Sequence, residues 1–424
     1  MNILLLGSGG RENAFAYKLA QSKHCSTLFI APGNPGTVNF GTNVAIAATD
    51  FSSIKNFVIE NQIELVVVGP EAPLVEGIYD FFLEEEALKH IPVFGPSKVG
   101  AQLEGSKAFS KAFMVRHQIP TAAYAEFTSE TLQEGLDYIA QHTLPIVLKA
   151  DGLAAGKGVL ICTTTEEAQA EFKEMLDGKF GEASAKVVIE EFMEGIEFSV
   201  FVLTDGKEYK ILPTAKDYKR IGEGDTGLNT GGMGAVSPPP FVTETMMQMV
   251  EKTIIQPTIE GLHKDGIAYK GVVYVGLMHL KTGETKVVEY NCRMGDPETE
   301  AVFPRIQNDL VELILSAMNS QLAKVELQID KRAATTIILA SGGYPQDFEK
   351  GKVITAIEDC KDSIVFHCGT KLNENGELLT NGGRVLAVTS LHEDWKEAVK
   401  ISNKNAAIIQ YEGKYYRRDI GFDL

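Results

Sequence analysis

The chain has 424 residues, 44% of them hydrophobic and 23% charged, with 57 acidic against 40 basic side chains and a formal charge of −17. The length points to about three domains at roughly 150 residues each, and the acidic balance excludes nucleic acid and anionic membrane as general partners, since both need a basic footprint. Five scattered cysteines (Cys25, Cys162, Cys292, Cys360 and Cys368), with no CxxC pair, argue against a zinc site or a disulfide framework and suit a reducing cytoplasm.

"MNILLLGSGG" has an apolar run of four and no basic flank, so it reads as a first strand and not as a signal peptide. No apolar run approaches the roughly 20 residues of a membrane span. After that strand comes the amphipathic stretch "RENAFAYKLAQS". "TLFIAPGNPG", "ELVVVGPEAPLVEG" and "PVFGPS" then repeat the pattern of a strand running into a Gly/Pro loop. Strands alternating with helices predict a parallel, doubly wound sheet over residues 1–104, with ligands at the carboxyl ends of its strands. The loop Gly7-Ser8-Gly9-Gly10-Arg11-Glu12 fails the dinucleotide fingerprint, because Glu12 stands where GxGxxG needs glycine. The ribose-reading acid expected after the second strand is also missing, and Ala31-Pro32-Gly33-Asn34-Pro35-Gly36 is there instead. A sugar phosphate therefore fits these loops better than NAD. The plainer alternative is a set of turns that only reverse the chain.

Residues 105–192 read as a helix closed before Pro120, then a compact α+β unit. "VLKADGLAAGKGVLI" ends a strand at Lys149 and sets Lys157 in a glycine-rich hairpin that runs from Gly152 to Gly158. It is not a P-loop, which needs Ser or Thr after the lysine. A small-residue hairpin carrying a lysine can still close over triphosphate oxygens. Lys107 stands at a helix N-terminus, where a cation opposes the macrodipole and an anion would relieve it. In "VVIEEFMEGIEFSV", Glu190 and Glu191 can frame an adenine and Glu197 can bind ribose hydroxyls; an exposed acidic turn is the ordinary alternative.

Long strands with turn signals at "GKE" and "KTGE" predict an antiparallel region over residues 193–328. Residues 215 to 238 hold six glycines and little apolar content, which reads as a ligand-ordered loop with no core of its own. "VVEYNCRMGDPETE" then crowds four carboxylates around one turn, and isolated carboxylates so close repel each other. Alternation along the strand puts Glu289 and Asn291 on one face, and one carboxylate plus one amide oxygen suit octahedral Mg²⁺. Arg293 follows on that face. Asp296 reads as the N-cap of the helix that begins with Glu298 and Glu300. The partner strand "GVVYVGLMHL" offers no further acidic ligand. Residues 329–424 form a small α+β unit with turns at "NENGE" and "TNGGR" and one helix around Trp395.

In this order, GSGGREN, APGNPGT, GPEAPLVEG, QLEGSKAF, KADGLAAGKGV, IEEFMEG, DTGLNTGGMGA, EYNCRMGDPETE, ASGGYP and TNGGRVL span almost the whole chain. The assembly resembles the ATP-grasp superfamily, and within it the glycinamide ribonucleotide synthetase family. That resemblance implies a multidomain α/β and α+β fold: an N-terminal doubly wound parallel sheet, a lid subdomain, an antiparallel central domain and a small C-terminal domain. It implies ligation of glycine to 5-phosphoribosylamine by a cytoplasmic monomer, using ATP with Mg²⁺ or Mn²⁺ and passing through a glycyl phosphate.

By the same resemblance, Lys107, Lys149, Gly156, Lys157 and Gly158 bind ATP phosphates, Glu190, Glu191 and Phe192 hold adenine, and Glu197 holds ribose. Glu289 and Asn291 bind the metal. Gly9, Gly10, Arg11, Gly33, Asn34, Pro35 and Glu71 face the ribosylamine. Asp225, Thr230, Gly231, Arg293 and Gly295 face glycine and its acyl phosphate, and Arg293, Lys149 and Asn229 are the implied catalytic positions. The family usually carries His at positions 13 and 218, where this chain has Asn13 and Tyr218, and Leu or Phe at Met294. Competing readings are another ATP-grasp ligase or carboxylase, an oxidoreductase using the N-terminal sheet, and a non-catalytic nucleotide sensor.

Overall fold

The glycine-ended repeats form one parallel sheet. Its strands are β1 (Asn2–Gly7), β2 (Thr27–Pro32), β3 (Thr42–Asn43), β4 (Leu65–Val68) and β5 (Val93–Pro96), in the spatial order 3-2-1-4-5. The helices between them are α1 (Gly10–Leu19), α2 (Phe51–Glu60), α3 (Glu71–Glu76) and α4 (Ile78–Glu84), with α5 (Lys98–Gly105) following β5. Every residue of "LVVV" in β4 is buried, as expected of a parallel strand covered on both faces. Strand order reverses between β1 and β4, which places the ligand crevice at Gly7 and Gly69. This computed structural model describes residues 1–154 and 158–424, so Gly156 and Lys157 lie outside the described residues.

Helix α6 (Lys107–Arg116) leads into a separate four-stranded antiparallel sheet of β6 (Tyr124–Thr128), β7 (Ile146–Ala150), β8 (Val159–Cys162) and β9 (Lys186–Glu191), ordered 6-9-7-8. Helices α7 (Leu132–Gln141) and α8 (Thr165–Glu174) cover it around Phe127, Ile139 and Phe172. The central hairpins are β10 (Gly195–Thr204) with β11 (Tyr209–Ile211), and β16 (Tyr269–Leu280) with β17 (Thr285–Asn291).

Two features differ from the sequence expectation. The parallel and central sheets are continuous, because β16 begins by pairing Tyr269 and Lys270 with Pro96 and Gly95 of β5. It then takes β17 along that edge while β10 runs along its other edge. The glycine-rich stretch from 215 to 238 is also not a free loop. It forms β12 (Lys216–Asp217), the hairpin β13 (Arg220–Gly222) with β14 (Thr226–Asn229), and β15 (Gly234–Ser237). β12 and β15 join β18 (Ala333–Ala340), β22 (Arg384–His392) and β19 (Ile364–His367) in the C-terminal sheet, so Val236 is buried with Ile337 and Leu339.

Helices α9 (Glu244–Val250) and α10 (Gln256–Lys264) precede β16, while α11 (Glu298–Val302) and α12 (Leu310–Met318) follow β17. The small hairpin β20 (Thr370–Leu372) with β21 (Leu378–Thr380) and helix α13 (Trp395–Ile408) complete the C-terminal unit. Among the described residues no helix is long and apolar enough to cross a membrane.

Candidate active site

The crowded stretch ends β17, at the mouth shared by the parallel and central sheets. A register shift beside Val288 leaves Glu289 opposite Gly276 and Asn291 opposite Tyr274. Across the ladder stands only Gly276, where an added Cβ would come within 3.2 Å of Glu289 Cγ, so no side chain of that residue crowds the carboxylate. Burial raises its pKa, but Lys219, then Lys149, Lys107 and Arg293, outweigh burial and hold it below the ordinary carboxylate range. The cations missing from the sequence puzzle are therefore partly the protein's own. An ionised carboxylate with no hydrogen-bond partner of its own among the described residues, two residues from an amide oxygen, fits Mg²⁺, which keeps waters and phosphate oxygens for its remaining positions.

Lys149, on β7, is 5% exposed, and its Nζ lies 2.9 Å from Glu190 Oε2. Glu190 is equally buried and reaches Lys111 on α6 at 3.2 Å through its other oxygen. Burial pushes the Lys111 ammonium down to about 8 despite that carboxylate. The Glu190 side chain is thus a bridge between two lysines, which leaves the β9 backbone and the half-exposed Phe192 as the groups that can frame a base. Glu191 accepts from Ala123 N and pairs with Lys286. Lys107 sits at the first position of α6 and donates to Gly152 O at 3.3 Å, and the helix start is capped by Ser106 and by Asp151 of the glycine loop. Gly158 O accepts from Ala150 N and closes the base of the hairpin. Glu197, on β10, is 2.7 Å from Lys219. Lys219 went unnoticed in the sequence because it lies in a segment that looks like a loop.

The first glycine loop explains why the dinucleotide fingerprint fails. Glu12 folds back over Gly7 and Gly69, where an added Cβ would come within 2.4 and 2.2 Å of its side chain. Its carboxylate thereby fills the switch point that a pyrophosphate occupies in dinucleotide folds. One oxygen accepts from Gly9 N at 2.7 Å and the other from Arg11 Nε at 2.6 Å. Gly10 is in turn pressed against Glu300 and Cys368. Asn34 holds loops together, donating to Ser8 O and His367 O and accepting from Gly36 N. Gly33 needs its positive φ of 71° and Pro35 follows in the same turn.

Arg293 crosses to the N-terminal unit, where NH2 meets Glu104 at 2.6 Å and Nε lies 3.3 Å from Glu71. Burial raises the Glu71 carboxyl, but Arg293 and Arg11 pull it down to about 2. Asp296 does not cap α11, whose N-cap is Pro297. Its carboxylate is 3.0 Å from Arg384 of β22, and a long-range arginine outbids the local helix end. Gly231 packs on the same Arg384 and donates its N–H to Tyr344. Thr230 bonds the Lys219 carbonyl, and Asn229 ends β14. Asp225 is drawn away to the hairpin tip, 2.6 Å from Arg417. Beneath Gly295, burial and Asp217 push the Glu298 carboxyl up to about 7. Tyr218 replaces an expected histidine with a buried phenol that donates to Asp423, and Asn13 accepts from His367 N.

Comparison with known proteins gives this geometry a family. Models for the N domain, the ATP-grasp (A) domain and the C domain of phosphoribosylglycinamide synthetase match residues 1–104, 105–299 and 334–423. The chain belongs to the phosphoribosylglycinamide synthetase family. Phosphoribosylamine–glycine ligases of Vibrio vulnificus and Haemophilus influenzae are 48% and 49% identical, covering 100% of this chain and 98% of each relative. The crystal structure of phosphoribosylamine–glycine ligase from Thermotoga maritima superposes with a TM-score of 0.85 at 35% identity, over 99% of this chain and 100% of that one. A biotin carboxylase from Campylobacter jejuni, at 12% identity and a TM-score of 0.72, shares the fold over 99% of this chain and 94% of that chain. The fold is that of an ATP-grasp enzyme, as the motifs led one to expect.

Proposed function

We propose that this enzyme joins glycine to 5-phosphoribosylamine, giving glycinamide ribonucleotide, ADP and phosphate in de novo purine synthesis in the cytoplasm. The observation that carries the reading is the gathering of cations at the end of β17, where Lys149 Nζ donates to Val288 O at 3.3 Å and Arg293 NH2 reaches Asn291 Oδ1 at 3.3 Å, with Lys219, Lys149, Lys107 and Arg293 together holding the Glu289 carboxyl below its ordinary range. A glycine carboxylate oxygen attacks the γ-phosphorus of ATP, and the bond to the departing ADP oxygen breaks. The ribosylamine nitrogen then attacks the acyl carbon of glycyl phosphate, loses a proton and expels inorganic phosphate. Such a reaction needs positioned charge more than a protein nucleophile.

In this reading Lys107 and Lys149 neutralise phosphate oxygens, and Glu197 exchanges Lys219 for ribose hydroxyls. Arg293 faces the acyl phosphate, while the Gly9–Arg11 and Gly33–Pro35 loops and Glu71 line the sugar side. Glu289 and Asn291 would hold Mg²⁺, which supplies charge neutralisation between phosphates. Lys157 would close over the nucleotide, and Asn229, Thr230, Gly231 and Gly295 would border glycine. The two features that separate this from an oxidoreductase are the filled dinucleotide switch point and the lysine pair at the phosphates.

ADP release from purified protein with Mg-ATP tests the reading, with glycine and freshly generated 5-phosphoribosylamine added singly and together. The expected result is release that requires both, with one ADP per amide. Release with bicarbonate or another carboxylate in place of glycine would overturn the substrate assignment and leave the phosphate chemistry standing.

A further inference from the structure

We infer that Glu104 is a positioning residue that aims the Arg293 guanidinium at the reacting phosphoryl group. It sits in the last turn of α5, on the N-terminal side of the junction, and is 8% exposed. Both of its oxygens serve two consecutive residues beyond the end of β17. Oε1 accepts from Arg293 NH2 at 2.6 Å, while Oε2 accepts from Cys292 N at 2.9 Å and from Cys292 Sγ at 3.1 Å. One carboxylate therefore fixes the backbone just after Asn291 and one edge of the guanidinium with it.

The other contacts of Arg293 complete the clamp. NH1 donates to Met294 O at 3.1 Å, and NH2 also reaches Asn291 Oδ1 at 3.3 Å. Nε is buried and makes no hydrogen bond, although Glu71 is near enough to pair with it by charge. The Glu71 side chain is 36% exposed against 6% for Glu104. The guanidinium is thus held along its Nε–Nη2 edge between two carboxylates, the buried Glu104 and the more exposed Glu71. A rigid planar fork held along one edge points its remaining Nη1 side in one direction, which a flexible cation cannot do. α5 and β17 belong to different units of the chain, so the clamp also ties Arg293 to the helix that follows β5. The catalytic consequence rests on the proposed reaction; the immobilisation of Arg293 does not.

The test uses the full-length protein and the variants Glu104→Gln, Glu104→Asp and Arg293→Lys, with the Glu104→Gln/Arg293→Lys double variant. Glutamine keeps the size and one acceptor but removes the charge and turns an amide donor towards Arg293. The first readout is the arginine Nε–H spectrum by NMR, with the Arg293 signal assigned by its loss in Arg293→Lys. In Glu104→Gln that signal is expected to shift and broaden while those of other arginines stay; an unmoved signal would overturn the inference. The second readout is turnover. Glu104→Gln is expected to lower kcat by ~10- to 100-fold with little change in KM for ATP, and to add less than about two-fold once Arg293 is lysine. Glu104→Asp, which keeps the charge, should retain more kcat than Glu104→Gln. Additive losses, or glutamine outperforming aspartate, would refute the role. If wild-type protein forms no ADP with glycine, the proposed reaction fails, and the Arg293 signal still decides the clamp.

Discussion

Glu190→Gln is the most informative single change, because one carboxylate bridges two buried lysines whose other hydrogen-bond partners, Thr121 Oγ1 and Ala122 O for Lys111 and Val288 O for Lys149, are all neutral. The distances are 2.9 Å to Lys149 and 3.2 Å to Lys111, and the two lysines are 5% and 2% exposed. At an effective dielectric of about 20, a pair near 3 Å is attractive by ~5 kcal/mol before desolvation is counted. Removing one partner of a buried pair typically costs about 3 to 5 kcal/mol, since the remaining charge stays buried. Part of that loss is escapable. Burial already pushes Lys111 down to about 8, and Glu190 is the largest pull in the other direction. Without it Lys111 gives up its proton at lower pH still. A lysine neutral in the fold and charged when unfolded adds stability as pH rises. The deficit of the variant should therefore shrink as pH rises towards 8 and widen below.

Urea unfolding at about pH 6.5 and about pH 8.5 measures this. Circular dichroism is the right signal, because the single tryptophan, Trp395, lies in α13 of the C-terminal unit. The KM for ATP should rise ~10-fold or more, because Lys149 loses the partner that orients it. An unchanged urea midpoint at both pH values, together with wild-type ATP kinetics, would refute the bridge.

Two further outcomes follow from the site. Glu289→Gln should move the Mg²⁺ requirement for ADP formation upwards by ~10-fold or more while the circular dichroism spectrum is kept; an unchanged requirement would remove Glu289 from the metal. His367 is held neutral, with burial pushing its imidazole down to about 4. Because it protonates more readily unfolded, it costs the fold about 3 kcal/mol as pH falls from about 6.5 to about 4. His367→Gln should flatten that part of the acid limb in urea titrations, and an identical limb would exclude it.

Local signals carried much of the architecture. Runs such as "LVVVG" and "NILLLG" ended where loops begin, and the period of two in "EYNC" put Glu289 and Asn291 together before any partner was known. What stayed hidden depended on residues far apart in the chain. Glu104 and Arg293 are 189 positions apart, and neither neighbourhood announces the other. Lys111 looked like one more helix lysine until its partner on β9 was placed beside it. The stretch from 215 to 238 looked coreless because its core is supplied by strands more than a hundred residues on. Asp296 had every local mark of a helix cap, yet Arg384 claims it. Each miss is a tertiary partner overriding a sound local preference.

The shared sheets also set a timetable for synthesis. β5 leaves the ribosome with an edge that stays unpaired until Tyr269 and Lys270 arrive, and β15 waits in the same way for β18. At ordinary elongation rates of roughly 5 to 20 residues per second, each gap lasts on the order of ten seconds. Open strand edges invite pairing with other chains for as long as they last. The nascent polypeptide therefore passes through two windows of vulnerability to misassembly, and a fragment ending between β15 and β18 would remain in the second permanently.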